Sequence, residues 1–301
     1  MTTYKIKQID AFTNRAFGGN PAGVVMSADG LKDGEMQNIA KEMNLSETAF
    51  ILKSNKADFR IRWFTPKKEV LFCGHATVAS LHALAEEGMF GMSSNGIFDL
   101  KTETMVGIIT VKVEKSEKSI QVFLSSPKIN FIKEQVDIKS LTKALQINNK
   151  DIVDTLPIMR EKTLDYLYVP IKSLETLKTI SYDYKKLENF GNKLGIKGFT
   201  LFTTSTFEKS SDVHSRFFTP FYGVYEDPVT GSSQGPLGVY FVQNSLVRFD
   251  GNMTTIESEQ GDIMGRPGRL TIQITKELDG SFSAVLISSA VTVLEGQFVL
   301  P

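Results

Sequence analysis

Cysteine is nearly absent from this 301-residue chain: Cys73 is the single thiol. That excludes an intramolecular disulfide, a cysteine-rich zinc site and any mechanism that needs two thiols. Histidine is scarce as well, with only His75, His82 and His214, which leaves little for a histidine-based metal centre. Net charge is missing too. Lys plus Arg is 34 and Asp plus Glu is 34, for a formal charge of zero, so the basic excess of a dedicated nucleic-acid or membrane-surface binder is not there. No apolar run approaches the ~18–20 residues of a membrane helix. The first residues, MTTYKIKQIDAF, carry Lys5 and Lys7 and lack the apolar core of a signal peptide. A soluble, reducing, cytoplasmic setting is therefore expected. The chain also lacks a GxGxxG after a strand, a Walker loop, an HExxH and a GxSxG elbow. Nothing in it calls for a nucleotide, a metal or another cofactor.

What is present reads as β-rich. Residues 4–10, 21–26, 48–53, 58–64, 105–114, 119–125, 163–169, 198–203, 213–218, 268–274 and 283–295 are β-branched or aromatic and often alternate, as strands do. Residues 34–43 and 182–194 have amphipathic helical spacing. Two further segments are apolar around most of the helical circumference, HATVASLHALAEE (75–87) and SQGPLGVYFVQN (233–244), with Pro236 tolerable only near a first turn. A helix apolar all round is a buried helix. The charge-mixed stretch 133–155 is the natural join between halves.

The halves repeat one another. DFRIRWFTP (58–66) and DVHSRFFTP (212–220) share five of nine residues at an offset of 212 minus 58, or 154. Upstream, Thr48 and Phe50 match Thr200 and Phe202; downstream, Gly74 matches Gly231 before the second buried helix. The pattern predicts an α+β chain of two similar barrels, each a mostly antiparallel sheet wrapped around a central helix. The first spans 1–128, with the C-terminal strand 291–301 able to complete it, and the second spans 129–290.

The chemistry is expected at the two helix starts. LFCGHAT (71–77) puts Gly74 and His75 there, and EDPVTGSS (226–233) puts Gly231 and Ser232 at the equivalent point. Glycine admits a ligand close to the backbone, and free N–H groups with the helix dipole favour a carboxylate or enolate. Two such starts lining a cleft between the barrels would hold one small anion. Glu47, in NLSETAF, is matched by Phe199 in the other half, so the halves have divided labour. Burial moves a glutamate's proton affinity toward the neutral range that suits a general acid/base. Asp227, fixed by Pro228, and His75 are candidates to orient a partner, and His82 reads as a core residue.

At these loops the chain resembles the PhzF-like family of phenazine-biosynthesis isomerases, of the diaminopimelate-epimerase-like superfamily. The resemblance rests on GGNPAGVV (18–25), NLSETAF (44–50), RIRWFTPKKEVLFCGHAT (60–77), EDPVTGSS (226–233) and EQGDIMGRPGRL (259–270). It implies a homodimeric, cofactor-independent isomerase acting on a small carboxylate. Glu47 would be the one proton-transferring group, with His75 and Asp227 catalytic beside it and Asn20, Gly74, Gly231 and Ser232 holding substrate. Cys73 stands where two-thiol relatives of the fold keep a base, but its counterpart is Thr230. The family often has Ala-His where this chain has Ser233-Gln234, a change expected to bear on specificity. A binding or regulatory protein on the same fold, or an amino-acid epimerase, are the other readings.

Overall fold

The computed structural model describes residues 1–300 and divides into two units, Met1–Leu124 with the C-terminal residues from Ile287, and Ser125–Leu286. The first unit contains β1 (Thr2–Ala11), β2 (Asn20–Val25), α1 (Asp33–Met43), β3 (Glu47–Leu52), β4 (Phe59–Phe64), β5 (Glu69–Val70), α2 (Gly74–Glu86), β6 (Gly96–Thr104), β7 (Gly107–Lys115) and β8 (Ile120–Ser125). The second contains β9 (Phe131–Lys133), α3 (Ile138–Leu145), β10 (Met159–Glu161), β11 (Tyr166–Pro170), α4 (Leu174–Thr179) and α5 (Tyr184–Leu194). It continues with β12 (Gly198–Thr203), β13 (Val213–Thr219), β14 (Val224–Asp227), α6 (Gly231–Gln243), β15 (Met253–Gln260), β16 (Gly268–Lys276) and β17 (Phe282–Ser288). The last strand, β18 (Ala290–Leu300), returns to the first unit.

The internal repeat is a repeat of topology. In the first unit the strands pair as β18–β1–β2–β3–β4–β6–β7, in senses antiparallel, antiparallel, parallel, antiparallel, parallel, antiparallel. In the second, β9–β10–β11–β12–β13–β15–β16 follow with the same senses. Short β5 hooks onto β4 as β14 hooks onto β13. The repeated residues have matching tasks. Arg62 grips Glu69 through two bonds of 2.7 Å, and Arg216 grips Glu226 through two of 2.8 Å. These bidentate clamps fix the strand that leads into each central helix.

Both central helices lie inside their units. Every residue of α2 from His75 to Ala85 is buried, and it packs against β1, β2, β3, β7 and β18. Gly238 lets α6 lie against β16, where a Cβ would come within 2.6 Å of Ile272. Outside the sheets, α1 packs on Tyr4, Ile6, Val25 and Phe50, while α3 and α5 cover Leu167, Phe199 and Leu201. Among the described residues no helix is long and apolar enough to cross a membrane.

Several local expectations are corrected. The stretch 133–155 holds α3, whose Leu141, Ala144 and Leu145 are buried while its charges face outward. Helix α6 begins at Gly231, two residues early, so Pro236 is its sixth residue and cannot donate to the Ser232 carbonyl. The run 283–295 is two strands, β17 and β18, broken at Ser289.

Candidate active site

Strand register and helix start bring the first unit's candidates together. Glu47 opens β3 and is registered against Ala22 of the neighbouring parallel β2. Asn20, fully buried, opens β2 two residues upstream. The turn before it depends on Gly19, whose φ is +54° and where a Cβ would lie 1.9 Å from the Ala11 carbonyl. Cys73 is the N-cap of α2, its carbonyl accepting from Thr77 N–H at 3.1 Å and Thr77 Oγ1 at 2.6 Å.

Gly74 is informative because nothing within the chain demands glycine there. Its φ is not positive, and a Cβ would only touch Leu124 at 3.6 Å, an ordinary contact. The first turn of α2 carries no acidic side chain of its own, so its helix-start amides suit an anion.

His75 joins the group. Its Nε2 lies 3.3 Å from Glu47 Oε2, with the two side chains 10% and 20% exposed, and Cys73 Sγ lies 3.5 Å from its Nδ1. Burial lowers the imidazole's pKa to about 4, so His75 is neutral at neutral pH. A protonated imidazole beside Glu47 would weaken the carboxylate as a base; a neutral one leaves its basicity intact. The donor atoms of Glu47, Cys73 and His75 all lie within 4.8 Å of one another. His82, further along α2, is buried with Nε2 3.0 Å from Glu86 Oε1, away from the cluster as the sequence suggests.

The second unit builds the equivalent start differently. Asp227 accepts from Thr230 Oγ1 at 2.5 Å. Gln260 accepts from Thr230 N–H at 3.1 Å and donates to the Asp227 carbonyl at 2.9 Å. Ser232 Oγ is 3.5 Å from the hydroxyl of Tyr166, whose pKa burial pushes up to about 12. Sequence reasoning missed Tyr166 and Gln260; the EQGD motif was the available signal for the latter. It expected the Ser233-Gln234 pair to bear on specificity. Both side chains are fully buried. Ser233 donates to the Thr230 carbonyl at 2.9 Å, and Gln234 is held by Ser215, Ser258 and Gln260 at 2.7–3.0 Å.

The chain is similar to known proteins over its whole length. Residues 9–296 match the family model described as phenazine biosynthesis-like protein. An uncharacterised isomerase of Clostridium acetobutylicum is 34% identical, with 99% of this chain and 98% of that protein covered. The trans-2,3-dihydro-3-hydroxyanthranilate isomerase of Pseudomonas chlororaphis is 31% identical over 97% and 98%. The crystal structure of a PhzF-family phenazine biosynthesis protein of Bacillus anthracis superposes with a TM-score of 0.91 at 29% identity, covering 100% of both chains. A duplicated barrel around two buried helices, a carboxylate at one helix start and these similarities lead to one assignment: the chain belongs to the phenazine biosynthesis-like (PhzF) family, with its diaminopimelate-epimerase-like fold, and is an isomerase.

Proposed function

We propose that Glu47 is the single general acid/base of a cofactor-independent isomerisation that moves a proton between two carbons of a small cyclic carboxylate. The observation that carries this reading is the Glu47 carboxylate 3.3 Å from neutral His75, at the N-terminal turn of α2. Glu47 takes the proton from a carbon whose electron pair can delocalise into the conjugated system. The first-turn amides of α2 stabilise the charge that develops. Glu47, now protonated, returns the proton to a second carbon on the same face, and His75 keeps its carboxyl group aligned. One group serves both steps, so no second base is required. Asn20 and Gly74 hold the substrate in the first unit. Within the second unit the family resemblance gives Asp227 a catalytic role and Gly231 and Ser232 a substrate-holding one. The working form is taken to be a cytoplasmic homodimer, on the family resemblance, and sedimentation tests the dimer.

The relative in Pseudomonas chlororaphis names the first compound to try, trans-2,3-dihydro-3-hydroxyanthranilate, followed by other cyclic dihydro carboxylates. In D₂O the wild type is expected to introduce deuterium at carbon, and Glu47→Gln to slow this by about 10²- to 10⁴-fold. Equal incorporation by both proteins would remove Glu47 from the role.

A further inference from the structure

We propose that Glu47, Cys73 and His75 also form a zinc site, and that Zn²⁺ bound there stops proton transfer by taking the carboxylate out of use. The inhibitory half rests on the reading of Glu47 given above; the binding half does not.

The donors are one sulfur, one nitrogen and one oxygen, a mixture zinc accepts while magnesium and calcium prefer oxygen alone. Their spacing suits a tetrahedral ion. Bonds of about 2.0–2.1 Å to nitrogen and oxygen and about 2.3 Å to sulfur require an N···O edge of about 3.3 Å and an S···N edge of about 3.6 Å. The structure has His75 Nε2 3.3 Å from Glu47 Oε2, while Cys73 Sγ lies 3.5 Å from Nδ1 and 3.9 Å from Nε2, so the sulfur has to swing toward Nε2 to complete the set. All three donors lie within 4.8 Å, and the movement the site asks for is a turn of the Cys73 thiol from the Nδ1 to the Nε2 side of the ring. The thiol proton leaves to solvent as the Zn–S bond forms. Thiolate and carboxylate then balance the ion's two charges, which removes the objection of placing a bare cation at a helix N-terminus. Three protein ligands leave a fourth position open, the arrangement of an accessible rather than a sealed zinc site.

Two contrasts within the chain sharpen the assignment. His214, Glu259 and Asp262 also gather their donor atoms within 4.8 Å. There Arg269 already grips Asp262 through two bonds of 2.8–2.9 Å, and Glu259 accepts from Phe207 N–H at 2.9 Å and Glu208 N–H at 2.7 Å. A guanidinium and two backbone amides engage those carboxylates, which argues against a metal ion there. At the second helix start the equivalents of Glu47, Cys73 and His75 are Phe199, Thr230 and Ser232, which offer no such set. One ion per chain is the consequence.

Chelator-stripped protein titrated with Zn²⁺ against a chromogenic chelator is expected to take up one ion per chain. Co²⁺ should give the near-ultraviolet absorption of a thiolate–cobalt bond. Cys73→Ser should abolish that absorption and weaken Zn²⁺ at least the ~10- to 100-fold that loss of even an outer-shell partner costs. His75→Asn, a second variant should the first fold poorly, should weaken Zn²⁺ similarly. Deuterium exchange by the wild type should be blocked at the Zn²⁺ concentration that fills the site and restored by EDTA. In Cys73→Ser, inhibition relative to its own metal-free rate should shift to higher Zn²⁺ by the factor lost in binding. Equal zinc binding by wild type and both variants, or no thiolate absorption with Co²⁺, overturns the site. Zinc bound without inhibition overturns the regulatory half. A wild type that binds zinc but never exchanges deuterium leaves the site standing and removes the proposed reaction instead.

Discussion

The two units share a frame down to individual bonds and differ at the starts of their central helices. Seven strands pair in the same senses in both, and each unit clamps the strand before its central helix with an arginine on a glutamate. At the helix starts the likeness ends. The first unit has Glu47, Cys73 and His75; the second has Phe199, Thr230 and Ser232. Glu47 keeps a partly exposed carboxylate, whereas Phe199 is 1% exposed and packed among Leu187, Phe190 and Phe218. Duplication supplied two helix N-termini, and the glutamate beside the first is a buried phenylalanine beside the second.

Exchanging these two positions is the most direct way to break the comparison. Glu47→Gln is expected to cost about 10²- to 10⁴-fold in the exchange rate with little change in melting temperature, since the amide keeps shape and polarity at a partly exposed site. Phe199→Ala should do the reverse, losing about 3–5 kcal/mol of stability in a denaturant melt as a large core side chain is deleted. A Glu47→Gln protein that melts much earlier than wild type would make the first position structural after all.

The pH dependence of stability separates the halves again, because only the first has an ionisable group in the turn after its N-cap. His75 falls from the usual 6.5 to about 4 in the folded chain, since burial disfavours its charged form. Between those values the unfolded chain binds a proton that the folded chain refuses, so stability is fullest above about pH 6.5. It declines by about 3 kcal/mol as pH falls to about 4. A second decline lies lower and belongs to both halves. Burial opposes ionisation of Glu86 and of Glu259. Hydrogen bonds from His82, Thr292 and Lys7 to the one, and from His214 and the Phe207 and Glu208 amides to the other, outweigh it and hold each near 2 rather than 4.5. Their contribution is present above pH 4.5 and is lost toward pH 2. Urea melts from pH 7 to 3 should therefore show two limbs, and His75→Asn should flatten only the upper one.

The repeat was legible in the sequence because its conserved letters do backbone work that both copies need. The buried helices were legible because apolarity around a whole helix has one physical meaning. What escaped depends on contacts distant in the chain. Strands β6 and β15 carry charged residues on their outer faces, so neither looked like a strand on its own. Lys7 is 1% exposed because Glu86, Glu87 and Glu295 converge on it at 2.8–2.9 Å, partners that lie far away in the sequence. Gln234 and Gln260 are the buried pins of the second helix start, a pairing that 26 residues of sequence separation hide. The motif around Glu47 was visible, but the closeness of Cys73 to His75 follows from the turn that starts α2.

The smallest expected effect tests the frame itself. Asp58 accepts the Lys101 N–H at 2.7 Å through its side chain while its own N–H binds the Lys101 carbonyl at 3.0 Å. Asp212 repeats this with Glu257, at 2.8 Å for both bonds. If the two units inherit one design, Asp58→Ala and Asp212→Ala should each cost about 1 kcal/mol, the net worth of one exposed hydrogen bond. They belong to different units and share no partner, so the double variant should lose the sum, about 2 kcal/mol. A loss confined to one of them would show that the shared aspartate survives in the other half without a shared role.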